Sequence, residues 1–385
     1  MPVNNTIRRL YQCGQSPWLD NLTRDMITSG RLRRLVREQG LRGITANPTT
    51  FCAALASNDY DSDIQELAEQ KKTTRHIFEA LLIRDVQLAC DLLREVYESS
   101  DGLDGFVSLE IAPHLAYNTD ETMIEARRYR ELVDRPNLFI KIPATEAGIP
   151  AIEQLLCEGV AVNITLLFSI QSYQAVIEAY LSALERRATD NLPLRPVASV
   201  ASFFVSRIDT LVDRLLIRRI PSAHRESESL PSRLLGRAAV ANAKLAYHTF
   251  TQSFTSERWN RLAAKGARVQ RPLWASVGTK NHAYGDLCYL EPLIGRETVV
   301  TMPEKTWSAF VDHGQVRENA VEADLDAASQ VMRDLETVGI NLNCVVWQLE
   351  HEGVQQFVDS FDAALAALET KRTQALGNAA EAAAR

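Results

Sequence analysis

The stretch Leu138-Phe139-Ile140-Lys141-Ile142-Pro143-Ala144-Thr145 is an apolar run with a lysine at its centre. Pro136-Asn137 precede it and Pro143 ends it, so it reads as a short β-strand buried on both faces. Such strands belong to parallel sheets covered by helices. Burying an ammonium group is costly, and a buried lysine tends to lose its proton. The neutral amine is a nucleophile that adds to carbonyls and forms Schiff bases. A lone lysine at a strand end is more often solvated or snorkelling to the surface. Its meaning therefore depends on the rest of the chain.

Seven more apolar segments recur: Ser16–Asp20, Gly43–Asn47, Gly105–Ile111, Ala161–Phe168, Pro196–Phe204, Arg271–Val277 and Val299–Pro303. Helical periodicity fills the stretches between them, as in Thr122–Val133 and Ile170–Leu184, where apolar residues recur at spacings of three and four. Strands alternating with helices imply a parallel sheet, and eight units imply a single closed (β/α)8 TIM barrel, an α/β fold with extra helices. An open doubly wound sheet would carry a glycine-rich turn, and neither a dinucleotide nor a P-loop fingerprint occurs. Val354, Phe357, Phe361, Leu365 and Leu368 form one apolar face of a C-terminal helix that should pack on the barrel. Residues 1–373 read as the barrel. The alanine-rich residues 374–385 read as a frayed tail, and Pro221–Arg233 as a surface loop.

The 385 residues carry a formal charge of -7 and no basic run, which argues against nucleic acid as a partner. No apolar stretch is long enough for a membrane span, and no signal peptide is evident. The six cysteines are scattered without metal-ligand spacing, as expected of free thiols in a reducing cytoplasm. The seven histidines are equally scattered, so no metal site is expected.

In a barrel of this kind the chemistry gathers at the C-terminal ends of the strands. Those ends offer Asp20, Asn47, Glu110, Lys141, Asn163 with Thr165, Ser202 and Ser276. Taken singly, each is a solvated loop residue. Together they fit one reaction, the cleavage or transfer of a carbon–carbon bond through a Schiff base. That reaction needs a neutral lysine (Lys141), an acid to expel water and a base for the reacting hydroxyl (Glu110 and Asp20). Asn47, Asn163, Thr165 and Ser202 would hold sugar hydroxyls.

All of these residues but Glu110 lie in segments that resemble transaldolase. The segments are Trp18-Leu19-Asp20, Thr45-Ala46-Asn47-Pro48-Thr49, Ile140-Lys141-Ile142-Pro143-Ala144-Thr145, Asn163-Ile164-Thr165-Leu166-Leu167-Phe168-Ser169, Ala201–Asp209 and Leu273-Trp274-Ala275-Ser276. The resemblance runs in order from about Leu10 to Arg372. The stretch Trp274–Asn281 looks like the longer bacterial subfamily.

The resemblance implies transfer of a dihydroxyacetone unit in the pentose phosphate pathway. The donor would be sedoheptulose 7-phosphate or fructose 6-phosphate, and the acceptor glyceraldehyde 3-phosphate or erythrose 4-phosphate. No cofactor is implied. It assigns Lys141 to the Schiff base, Asp20 to acid–base work at the breaking bond, and Glu110 to proton shuttling through a water held by Thr165. Asn47 and Asn163 would bind dihydroxyacetone hydroxyls, Ser202 and Phe204 would line the pocket, and Arg207 would hold the phosphate. Ser276 and Lys280 are inferred to complete the phosphate site, since shorter transaldolases carry Ser-x-Arg there. Ala46, His282 and Gly285 depart from the commoner Ser, Pro and Ser.

An aldolase on the same lysine, a specialised transaldolase with another acceptor, and a silent sugar-phosphate-binding barrel are the alternatives. A homodimer and a monomer are both compatible with the sequence.

Overall fold

The computed structural model describes residues 6–46, 48–220 and 229–383, with the side chains of Pro48 and of residues beyond Gly377 outside that description. Eight parallel strands close into a barrel in chain order. They are β1 (Gln15–Leu19), β2 (Gly43–Thr45), β3 (Phe106–Glu110), β4 (Leu138–Pro143), β5 (Val162–Leu167), β6 (Ser199–Phe204), β7 (Arg271–Ala275) and β8 (Thr298–Met302). Each lies inside a segment expected from the sequence or overruns it by one residue. Every strand residue is buried, because helices cover the outer face and side chains fill the interior.

The barrel interior is layered. Trp18, Phe106 and Phe139 form an aromatic layer, with Phe106 and Phe139 stacked at 4.0 Å between ring centroids. Gly43 makes this layer possible: a Cβ there would sit 2.4 Å from the Trp18 ring. Below, Arg271 is buried against Asp104, with Oδ1 at 3.1 Å, and donates to Ser16 Oγ. That pair ties β7 to the chain before β3. Two residues beyond Phe106, Ser108 belongs to a polar layer in which Asn163 bonds both it and Ser202.

The helices follow their capping residues. Thr119–Val133 starts at Asn118, whose Oδ1 accepts from the Glu121 amide at 3.1 Å. Ile170–Thr189 starts at Ser169, whose hydroxyl accepts from the Ser172 amide at 2.9 Å. The C-terminal helix Leu342–Ala383 docks as the apolar face predicts, burying Val354, Phe357, Phe361 and Leu368. Phe361 packs edge-on against Phe78 at 5.0 Å. The helix continues through the alanine-rich stretch to Ala383, where the sequence reading expected fraying from Gln374; alanine has the highest helix propensity. Of the expected loop at Pro221–Arg233, residues 221–228 lie outside the described residues, and Leu230–Leu234 forms a short helix opened by Pro231.

Among the described residues, no helix is long and apolar enough to cross a membrane.

Candidate active site

The C-terminal ends of the strands surround a cleft of about 440 Å³. Asp20, Lys141, Thr165, Ser202, Phe204, Arg207, Ser276 and Lys280 all line it. Glu110 and Asn163 stand beside and beneath it. Asn47 lies outside the described residues.

Lys141 is 6% exposed. Its Nζ donates to Glu110 Oε2 at 3.0 Å and to the Ala46 carbonyl at 3.0 Å. The register explains the first contact, since Lys141 pairs with Glu110 across β3–β4 and with Asn163 across β4–β5. Both neighbours therefore present side chains on the same face of the sheet. Burial raises the pKa of Glu110, and the Lys141 ammonium only partly offsets it. A carboxylate in hydrogen-bond contact with the amine is placed to exchange a proton with it. Glu110 Oε1 and Thr165 Oγ1 are both buried without a hydrogen-bond partner. Each is free to bond a water.

Asp20 follows β1 and is fixed through two threonines. Thr45 donates to Asp20 Oδ1 at 2.8 Å, and Thr45 and Thr301 hydroxyls meet at 2.7 Å. Thr45 has one proton and gives it to the carboxylate, so Thr301 must be the donor to Thr45.

Asn163 is fully buried. Its amide donates to Ser108 Oγ at 3.0 Å, and its Oδ1 accepts from Ser202 at 2.6 Å. Both ends of the side chain are thus engaged within the barrel.

The cationic side of the cleft is built from β6 and β7. Arg207 sits in the first turn of the helix Ser206–Ile217, its guanidinium 5.4 Å from the centre of the Phe204 ring. Burial lowers its pKa, opposed by the charges of Asp20, Glu110 and Glu352. A guanidinium stays protonated even so. Its Nε is buried with no hydrogen-bond partner. Lys280 stands at the exposed mouth, and crowding by the cleft walls and then the Arg207 charge press its pKa down. Two cations repelling each other across a cleft favour an anion between them.

Two strained residues shape this end of the barrel. Leu166 has φ +58°, where β5 shifts register against β6, and Ser276 has φ +55°. Non-glycine residues at such angles persist only where their surroundings enforce them. The first directly follows Thr165, and the second is itself part of the cleft wall.

The C-terminal helix closes one side. Phe357 lines the cleft, and Gly353 packs on Leu166 and Arg207. A Cβ on Gly353 would come within 2.9 Å of Leu166 and 3.5 Å of the Arg207 guanidinium.

Sequence reasoning missed Thr45, Ser108 and Thr301, although each is a polar residue on the inward parity of its strand, a signal that was available. It also missed Lys305, Thr306 and Phe357 in the cleft wall. Phe357 was read only as part of an apolar face, since nothing local tells which part of a docked helix reaches the cleft. Among the described residues, no three His, Cys, Asp or Glu side chains come together as a metal site would need.

The family model for transaldolase/fructose-6-phosphate aldolase matches residues 17–368. The chain is 46% identical over 363 residues to a protein of Thiobacillus denitrificans named transaldolase, covering 94% of this chain and 99% of the relative. It is 44% identical over 377 residues to one of Nostoc sp. named transaldolase 2, covering 96% and 98%. A transaldolase of Mycolicibacterium smegmatis is 44% identical over 362 residues, covering 94% and 96%.

Proposed function

The chain belongs to the transaldolase/fructose-6-phosphate aldolase family, and from that premise we propose that it is a transaldolase in which Lys141 carries a dihydroxyacetone unit between sugar phosphates. The observation that supports the residue roles most strongly is the buried Lys141–Glu110 pair at the floor of the strand-end cleft.

In this reading Glu110 takes a proton from Lys141, and the free amine adds to the C2 carbonyl of a ketose phosphate. The carbinolamine loses its hydroxyl as water, with a proton supplied by Glu110 through a water on Thr165. Asp20 then takes the proton of the C4 hydroxyl. The C3–C4 bond breaks, its electrons pass into the iminium, and an aldose phosphate leaves. The enamine on Lys141 attacks the aldehyde of a second aldose phosphate, and Asp20 returns its proton to the new alkoxide. Water hydrolyses the iminium and frees the new ketose phosphate.

Arg207, Ser276 and Lys280 would hold the phosphate, which is the same group on donor and acceptor. A planar fork with an unengaged Nε suits a tetrahedral dianion. Asn163, held at both ends, would fix Ser202 and the floor around the dihydroxyacetone unit. Asn47 is assigned to a hydroxyl of that unit by its place in the Thr45–Thr49 motif. The pentose phosphate pathway is the natural setting for this transfer. A reducing cytoplasm is the compartment in which six free thiols would persist.

Transfer and simple lysis differ in the fate of the enamine, and this provides the test. Incubation with fructose 6-phosphate alone should give at most one aldose phosphate released per enzyme. Addition of erythrose 4-phosphate should start continuous formation of sedoheptulose 7-phosphate. Continuous release of free dihydroxyacetone without an acceptor would instead identify an aldolase.

A further inference from the structure

Two segments supply the cationic side of the cleft, and they are held together unequally along their length. Arg207 opens the helix Ser206–Ile217, while Ser276 and Lys280 lie in the segment after β7. The near end of that segment is locked to the helix start. The Val205 amide donates to the Ala275 carbonyl and the Ser206 amide to the Ser276 carbonyl, both at 3.0 Å. The Ser206 and Ser276 hydroxyls meet at 3.2 Å. Lys280 lies four residues further on, exposed at the mouth, beyond the reach of this ladder.

The chain returns to the same helix at Tyr284. Its hydroxyl donates to Asp213 Oδ2 at 2.6 Å. The other oxygen of Asp213 accepts from the Gly236 amide at 2.9 Å. The Tyr284 ring lies directly on Gly236, where a Cβ would come within 2.7 Å of it, so the ring has one seat. Asp213 is buried; burial raises its pKa, while the Tyr284 and Gly236 bonds lower it. A short bond to a buried carboxylate is a strong one.

Tyr284 is also coupled to Lys280 through a turn. The Tyr284 amide donates to the Asn281 carbonyl at 3.1 Å, and the Ala283 amide to Asn281 Oδ1 at 3.0 Å. Fixing Tyr284 therefore fixes Asn281, the residue next to Lys280. A second link from this segment, Asp286 to His313 at 3.1 Å, joins two half-exposed side chains and holds far less.

We propose that Tyr284, anchored on Asp213, is a positioning residue that sets Lys280 opposite Arg207 and so tunes recognition of the substrate phosphate. The proposal rests on the reading of Arg207 and Lys280 as the phosphate site. Tyr284 touches no substrate. It acts by holding the far end of the segment to the helix that carries Arg207.

The test is Tyr284→Phe, which keeps the ring on Gly236 and removes only the donor. Losing one charge-assisted hydrogen bond should raise KM for fructose 6-phosphate about tenfold. The kcat should stay within about twofold, and kcat/KM for unphosphorylated fructose should not change. Asp213→Asn, which keeps one acceptor oxygen for the Gly236 amide and can donate its own N–H to the Tyr284 hydroxyl, should restore part of the affinity relative to Asp213→Ala. Arg207→Ala is measured in parallel, with a melting temperature for every variant. An unchanged KM in Tyr284→Phe, or equal losses for both sugars, would overturn the proposal. If Arg207→Ala also failed to separate the two sugars, the phosphate-site reading itself would fall.

Discussion

At the scale of single residues, catalysis through Lys141 depends on two carboxylates that hold and release protons near it. Glu110 is buried beside the amine, and Asp20, two strands away, is held by Thr45 and Thr301. The two carboxylates differ in surroundings and so can serve different steps. This separation predicts different stalling points. In Asp20→Asn the hydroxyl proton cannot be taken, so the Schiff base should form and stop before cleavage. Reduction with borohydride in the presence of fructose 6-phosphate should then add the full six-carbon sugar phosphate to Lys141. Glu110→Gln should slow formation of the Schiff base itself, lowering kcat by about 10²- to 10⁴-fold, and any adduct trapped should be the three-carbon unit. Intact mass spectrometry reads both. The same mass for the two variants would show that the roles are not divided this way.

At the scale of elements, the helix Ser206–Ile217 does two jobs. Its first turn presents Arg207 to the cleft, and its next turns bury Asp209 and Asp213 against the helix Ala238–Ser253. Asp209 accepts from the Ala239 amide at 2.8 Å. Burial nevertheless pushes its pKa up to about 7, with the Ala239 amide bond acting against it and Asp213 adding to it. A raised carboxyl pKa means that the folded protein holds a proton the unfolded chain has released. This contribution to stability is complete below the unfolded value of 3.8 and is lost as pH rises to about 7. Asp209→Asn should remove the loss, because the amide keeps an acceptor for Ala239 and cannot ionise. The variant's advantage in unfolding free energy should grow between about pH 4 and pH 7, to no more than about 4 kcal/mol. Denaturant midpoints across that range would check it, and an advantage independent of pH would count against the assignment.

At the scale of the whole molecule, the strand–helix alternation was legible because each strand is a short apolar run between turn residues. The barrel then gathers residues as far apart as Asp20 and Lys280 at one end. Most of the polar residues that line the cleft were legible for the same reason, since they sit at strand ends that the barrel brings to one side. What stayed hidden depends on long-range geometry. The left-handed backbones of Leu166 and Ser276 are imposed by their surroundings and carry no glycine signature. The approach of Gly353 to Arg207 joins residues that nothing in the local pattern connects.

All of these parts serve a covalent carrier on one side chain. The most direct measurement is borohydride reduction of the protein with fructose 6-phosphate, followed by peptide mass spectrometry, with Lys141→Ala alongside. A reduced three-carbon adduct on Lys141 is expected in the parent chain, with no adduct anywhere in the variant. An unmodified Lys141 in folded protein, or an adduct that persists in Lys141→Ala, would contradict it.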